Sequence, residues 1–83
     1  MERALKLIRQ RANADDVLYR MVVHHLGGDT VAMLTALYAD DPPRTQSEVA
    51  AQFGISQGVV SRRVRRARLY LDQFGLLPDE WRR

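Results

Sequence analysis

Eighty-three residues, 46% of them hydrophobic and none of them cysteine, suffice for one small domain that buries only about 60–65% of its unfolded surface. Such a domain has no disulfides, thiolate metal ligands or cysteine nucleophile to draw on; no apolar run approaches the roughly 18 residues of a membrane span and no signal-like block opens the chain, so a cytoplasmic location is expected. The net charge of +3 is unevenly placed: residues 1–43 carry five basic and six acidic side chains, residues 44–83 eight and four, which puts the anion-binding surface in the second half.

The first expected element is a helix over Glu2 to Ala12, with Leu5, Ile8 and Ala12 on one side and Arg3, Lys6, Arg9 and Arg11 mostly elsewhere. Those cations are either a solvated face or contacts to flanking phosphates. Asn13 through Asp16 has the form of an N-cap with acid in the first turn. A second helix is therefore expected from about Ala14 to Leu26, closed by Gly27-Gly28, unless one rod continues through Asn13.

Within it Val17, Leu18, Tyr19, Met21, Val22, Val23 and Leu26 cover more than one narrow stripe, which means burial on several sides or against a partner. Val17, Leu18, Met21 and Val22 are the candidate dimer or partner surface, with core packing the competing reading. His24 and His25 are adjacent, about 100° apart on a helix, and cannot form the one-face pair of a helical metal site. They read as structural or exposed. Asp29-Thr30 is expected to cap a third helix, Val31 to about Ala39, with Val31, Leu34, Leu37 and Tyr38 inward. Asp40-Asp41-Pro42-Pro43 ends it.

Thr45 followed by Glu48 has the form of a capping box. Val49, Ala50 and Phe53 then recur at helical spacing, and Gly54 stands where a left-handed cap is wanted. Ile55 sets an apolar side chain back on that helix, and Ser56 can cap the next. From Gln57 the positions Val60, Val64, Ala67, Leu71 and Phe74 draw one apolar stripe. Arg62, Arg63, Arg65, Arg66 and Arg68 crowd the remaining faces. A short helix, a tight turn of about three residues and a longer helix exposing Gln, Ser and Arg is the layout of a helix-turn-helix, whose second helix enters the DNA major groove. An ordinary helical hairpin with solvated arginines is the bland alternative. Gly75 and Pro78 stop the long helix, and Trp81 in the tail either docks on the domain or anchors a partner.

The stretch from about Val31 to Leu71 resembles the helix-turn-helix region four of bacterial sigma factors, and more loosely the corresponding units of small bacterial and phage repressors. The resemblance is carried by T-Q-S-E-V-A-A-Q-F and G-I-S-Q-G-V-V-S-R-R-V-R-R-A, and covers about half the chain. It implies recognition of promoter-like double-stranded DNA. By that resemblance Gln57, Ser61, Arg62 and Arg65 match groove-facing, base-contacting positions. Arg44, Thr45, Ser56, Arg63 and Arg66 would lie nearer phosphates, and Arg68 could serve either role. Gln suits adenine and Arg suits guanine through paired hydrogen bonds, worth about 1–3 kcal/mol of discrimination each. The tail L-P-D-E-W-R-R is also similar to the segment after the motif in KorA-like plasmid repressors. Gly58, in the first turn of the long helix, is a weak helix former that either admits close approach of DNA or loosens the helix start. The sequence contains nothing resembling the core-promoter and polymerase-binding regions of a full sigma factor, so it is not expected to initiate transcription alone.

The sequence thus predicts an all-α fold of about five helices in one domain, with N-terminal helices over 1–43, a helix-turn-helix over 44–74 and a tail over 75–83. Its expected function is a sequence-specific DNA-binding transcriptional regulator, such as a repressor, acting as a homodimer. The competing class is a protein-interaction module that contacts RNA polymerase or a sigma factor. Catalysis is disfavoured: there is no glycine-rich phosphate loop, no nucleophile with a His partner and no acidic cluster at metal-ligand spacing, so neither a metal nor a cofactor is expected.

Overall fold

The computed structural model describes residues 3–12 and 16–82, the side chain of Asp16 excepted. It is all-α among those residues. The helices are Arg3–Ala12 (α1), Asp16–Leu26 (α2), Gly28–Leu34 (α3), Gln46–Phe53 (α4) and Gln57–Gln73 (α5). A π-helical turn, Thr35–Ala39, continues α3, and a 3-10 turn, Asp79–Trp81, lies in the tail. The α4–α5 pair forms the helix-turn-helix, α3 packs on α5, and α1 braces α2 and the π-turn.

The apolar periodicity explains most of this packing. In α5, Val60, Val64, Ala67 and Leu71 are buried, with Phe74 half-buried at the end of the same stripe. In α1 the buried row is Ala4, Ile8 and Ala12, an i, i+4 ridge of small and branched side chains that admits close approach of its neighbours. Leu5, expected on the inner face, only flanks this row and is half-buried. Residues 13–15, where an N-cap for α2 was expected, lie outside the described residues.

The start of the third helix differs from expectation. Gly27 occupies the N-cap position with φ +84°, the helix begins at Gly28, and no side chain caps it. Asp29 and Thr30 are therefore inside the first turn, where the Asp29 carboxylate favours the positive end of the helix dipole. A positive φ at Gly27 is accessible because glycine lacks a Cβ, so the chain reverses without a cap residue. At the other end of α3, the Asp40 amide donates to the Thr35 carbonyl, the wider ring that makes this turn π-helical.

Thr35 is the buried polar residue at this junction. Its Oγ1 donates to the Val31 carbonyl at 3.0 Å and accepts from the Ala4 amide at 3.4 Å. One of the amides that every helix start leaves without an intrahelical acceptor is thus satisfied from another helix, which ties α1 to α3.

The tail completes the core. After α5 the Gly75 amide donates to the Asp72 carbonyl and the Leu76 amide to that of Leu71, with Gly75 at φ +69°, a Schellman-type closure. Leu76, Leu77 and Trp81 then turn inward. Trp81 is completely buried (0% exposed) and stacks on Tyr38, with ring centroids 5.4 Å apart. Arg82 is held to Asp72 and Asp79, and Arg11 reaches Asp79 from α1. Trp81 therefore docks on its own domain and is withdrawn from the candidate partner surface. So is Val22, which is also fully buried. Leu18 is partly buried against the core, whereas Val17 and Met21 are 77% and 49% exposed.

Candidate nucleic-acid interface

Each boundary of the helix-turn-helix is fixed by a local interaction. The Thr45 hydroxyl oxygen accepts from the Glu48 amide at 3.2 Å, and the Glu48 carboxylate accepts from the Thr45 amide at 3.0 Å. This is a complete capping box. The hydrogen bond from the Thr45 backbone, with that from its side chain, holds the Glu48 carboxyl below its ordinary value. Gly54 takes φ +67° and ψ +34°, and the Ile55 amide donates back to Ala50 at 3.0 Å. The Ser56 hydroxyl oxygen then accepts from the Val59 amide at 3.2 Å and starts α5.

Two side-chain contacts reinforce the unit. The Ser47 hydroxyl donates to Gln57 Oε1 at 3.0 Å, joining the start of α4 to the start of α5. Arg44 hydrogen-bonds Gln52 along α4. Ala50, buried at the crossing, keeps the helices close. The sequence does not announce the Ser47–Gln57 bond, because it depends on the angle between two helices.

With about 100° per residue, the row Gly58, Arg62, Arg65 and Leu69 lies opposite the buried stripe of α5. Arg62 and Arg65 are exposed, as is Gln57 on the adjoining flank, while Ser61 is half-buried beside them. Gln57 Oε1 retains a second lone pair and its amide two donors after the Ser47 contact, so it keeps the capacity for a paired base contact. Arg63 and Arg66 are exposed on the other flank. Among the described residues no carboxylate forms an ion pair with Arg62, Arg63, Arg65 or Arg66. Four uncompensated guanidiniums on successive turns repel one another, and a polyanion relieves that repulsion.

The remaining phosphate candidates divide. Arg44, Thr45 and Ser56 are exposed at the starts of the two helices. Both hydroxyl oxygens act as caps; the Ser56 hydroxyl keeps its proton to donate, whereas the Thr45 hydroxyl already hydrogen-bonds the Glu48 carboxyl. Arg68 is different: it is half-buried, its guanidinium lies over the Tyr38 ring at 5.7 Å, and its Nε is buried. Core packing sets its position, which removes it from the freely exposed phosphate contacts. Gly58 has no steric reason inside the protein, since the nearest non-local atom to a Cβ built there is Ser56 Oγ at 3.9 Å. Two exposed features were missed by sequence reasoning, Leu69 at 66% exposure and the stack of His25 on Tyr70.

A core-supported helix presenting a polar and arginine-rich face without carboxylate partners among the described residues, behind a short capped helix and a glycine turn, defines a helix-turn-helix DNA-binding unit. Residues 32–72 match the family model of sigma-70, region 4, and this segment belongs to that family of DNA-binding regions. The match begins inside α3 and ends near the end of α5, leaving α1 and α2 outside it. No curated protein and no solved structure matches the chain.

Proposed function

We propose that this protein is a sequence-specific reader of double-stranded DNA that regulates transcription, with the N-terminal half of α5 in the major groove. The observation that carries this reading is the face formed by Gln57, Ser61, Arg62 and Arg65, without carboxylate partners on a helix whose start is capped and tied to α4. Arg62 and Arg65 read guanine, Gln57 reads adenine, and Arg44, Thr45, Ser56, Arg63 and Arg66 hold phosphates. The sites stand on a division into N-terminal helices (1–43), the reading unit (44–74) and a tail (75–83).

One unit of this size contacts too few base pairs for genomic selectivity, and a homodimer on half-sites about 34 Å apart supplies the rest. Val17 and Met21, exposed on α2, support a dimer contact there. Selection of bound sequences from a random duplex pool at two salt concentrations tests both points. A palindrome with half-sites one helical turn apart is the expected product, and sequence-blind recovery at both salts would overturn the reading.

A second reading follows from the exposed apolar side chains Val17, Met21 and Leu69: a module that contacts RNA polymerase or a sigma factor. Polymerase capture that survives Arg62→Ala with Arg65→Ala, together with no DNA binding by the unaltered protein, would establish this second reading.

A further inference from the structure

We propose that His25 and Thr30, supplied by α2 and α3, complete a phosphate-binding site with Arg63 and Arg66, so that the N-terminal helices grip the DNA backbone beside the recognition helix. This rests on the DNA-binding reading above and adds to it a second wall of contacts outside the matched family segment.

The site is an open cavity of about 250 Å³ on the flank of α5. One wall is His25, Leu26 and Thr30, and the other is Arg63, Arg66 and Tyr70. The imidazole does not hang free: it stacks on the Tyr70 ring, with centroids 4.2 Å apart and planes 17° from parallel. That contact gives α2 a fixed point on α5. The donors around the cavity are two guanidiniums, a hydroxyl and an imidazole, and its lining contains no carboxylate. Such a set suits the oxygens of a phosphodiester, which offer only acceptors.

Position selects the DNA backbone over other anions. Arg66 stands one turn beyond Arg62, at the edge of the groove-facing row, and Arg63 continues toward α3 along the same flank. A strand bordering the major groove occupied by Arg62 and Arg65 passes this flank. His24 is a built-in comparison, because it is exposed on the same helix yet does not line the cavity. The groups facing His25 are Tyr70, Arg63 and Arg66 from α5 and Thr30 from α3. His24 on its own helix and Asp29 beside Thr30 do not line the cavity, and α1 contributes no lining residue.

Each hydrogen bond to a phosphate oxygen adds affinity that is lost when its donor is removed. The experiment is a salt titration of full-chain binding to a mixed-sequence duplex, for the unaltered protein and the His25→Ala, His24→Ala and Thr30→Val variants. His24→Ala should bind as the unaltered protein does. His25→Ala should weaken binding at least on the order of threefold. Thr30→Val should weaken binding on the order of threefold, the loss of one neutral hydrogen bond. Affinity unchanged in both His25→Ala and Thr30→Val would overturn the site while leaving DNA binding intact. Absence of binding by the unaltered protein would overturn the DNA reading and this site together.

Nuclear magnetic resonance supplies a readout free of substitution. The His25 ring protons should shift on saturation with duplex. Shifts with inorganic phosphate but not with duplex would make the cavity a small-anion site and overturn the backbone assignment.

Discussion

The helix-turn-helix and the N-terminal helices are built by different means. In α4 and α5 every boundary has a nearby side chain or glycine that sets it: Thr45 with Glu48, Gly54, Ser56 and Gly75. The α2–α3 reversal also uses a local glycine, Gly27 at φ +84°, but no side chain caps it, α1 is tied in through Thr35 from 31 residues away, and the tail closes the core from the far end of the chain. Geometry at a reading surface has to be held within fractions of an ångström, and local caps do that independently of the rest of the core. The bracing helices chiefly supply apolar area, with the proposed His25 and Thr30 contacts on their outer side.

The comparison is broken most strongly at the tail. Trp81→Ala should cost about 3–5 kcal/mol, a large share of the roughly 5–15 kcal/mol available to a domain, measured by urea unfolding. A loss below about 1 kcal/mol would mean the indole is not the keystone its burial against Tyr38 implies. Next come the exposed arginines of α5, whose substitution should leave stability almost unchanged. Arg62→Ala or Arg65→Ala should remove about 1–3 kcal/mol of discrimination at one base pair. Arg66→Ala should weaken all sequences alike and reduce the salt slope by about one. Equal losses on selected and random duplexes for all three would contradict the division into base and phosphate contacts.

Two glycines of the reading unit should behave oppositely. Gly54→Ala forces an L-residue into the left-handed region at φ +67° and should cost about 1–2 kcal/mol of stability. Gly58→Ala, whose Cβ makes only ordinary contact with Ser56 Oγ at 3.9 Å, should stabilise by about 0.5–1 kcal/mol and yet weaken DNA binding, since its methyl group stands on the row proposed to face the groove. Unchanged affinity in that variant would show that the backbone does not approach DNA closely there.

The smallest effect is the pH response of the capping box. The folded Glu48 carboxyl lies below its ordinary 4.5, mainly through the Thr45 backbone hydrogen bond. A depressed carboxylate contributes stability above its unfolded value and loses it as pH falls through the folded one. The melting temperature of the unaltered protein should therefore exceed that of Glu48→Gln above about pH 4.5, with the gap closing under stronger acid. A gap independent of pH would assign the cap to shape alone.

Much of the reading unit was legible before any coordinates. Thr45, Glu48, Gly54, Ser56 and the Val60–Leu71 stripe each act within a few residues of themselves, and a capping hydrogen bond or a left-handed glycine is encoded where it acts. Arginines without compensating acids on the same helix face were equally readable as an anion-seeking surface. What the sequence could not decide concerned residues whose surroundings come from elsewhere in the chain. Trp81 and Val22 fit either a core or a partner until the tail folds over Tyr38 and α2 meets the core. Arg68 looked like its neighbours, but one flank of α5 faces Tyr38 and only the crossing of helices reveals which. His25 drew no functional reading because its meaning lies in Tyr70, 45 positions later in the chain and 4.2 Å from it in ring-to-ring distance. Local sequence determined where the helices begin and end and what charge they carry, because those free energies are short-ranged; the packing of distant segments decided which side chains remain outside to be used.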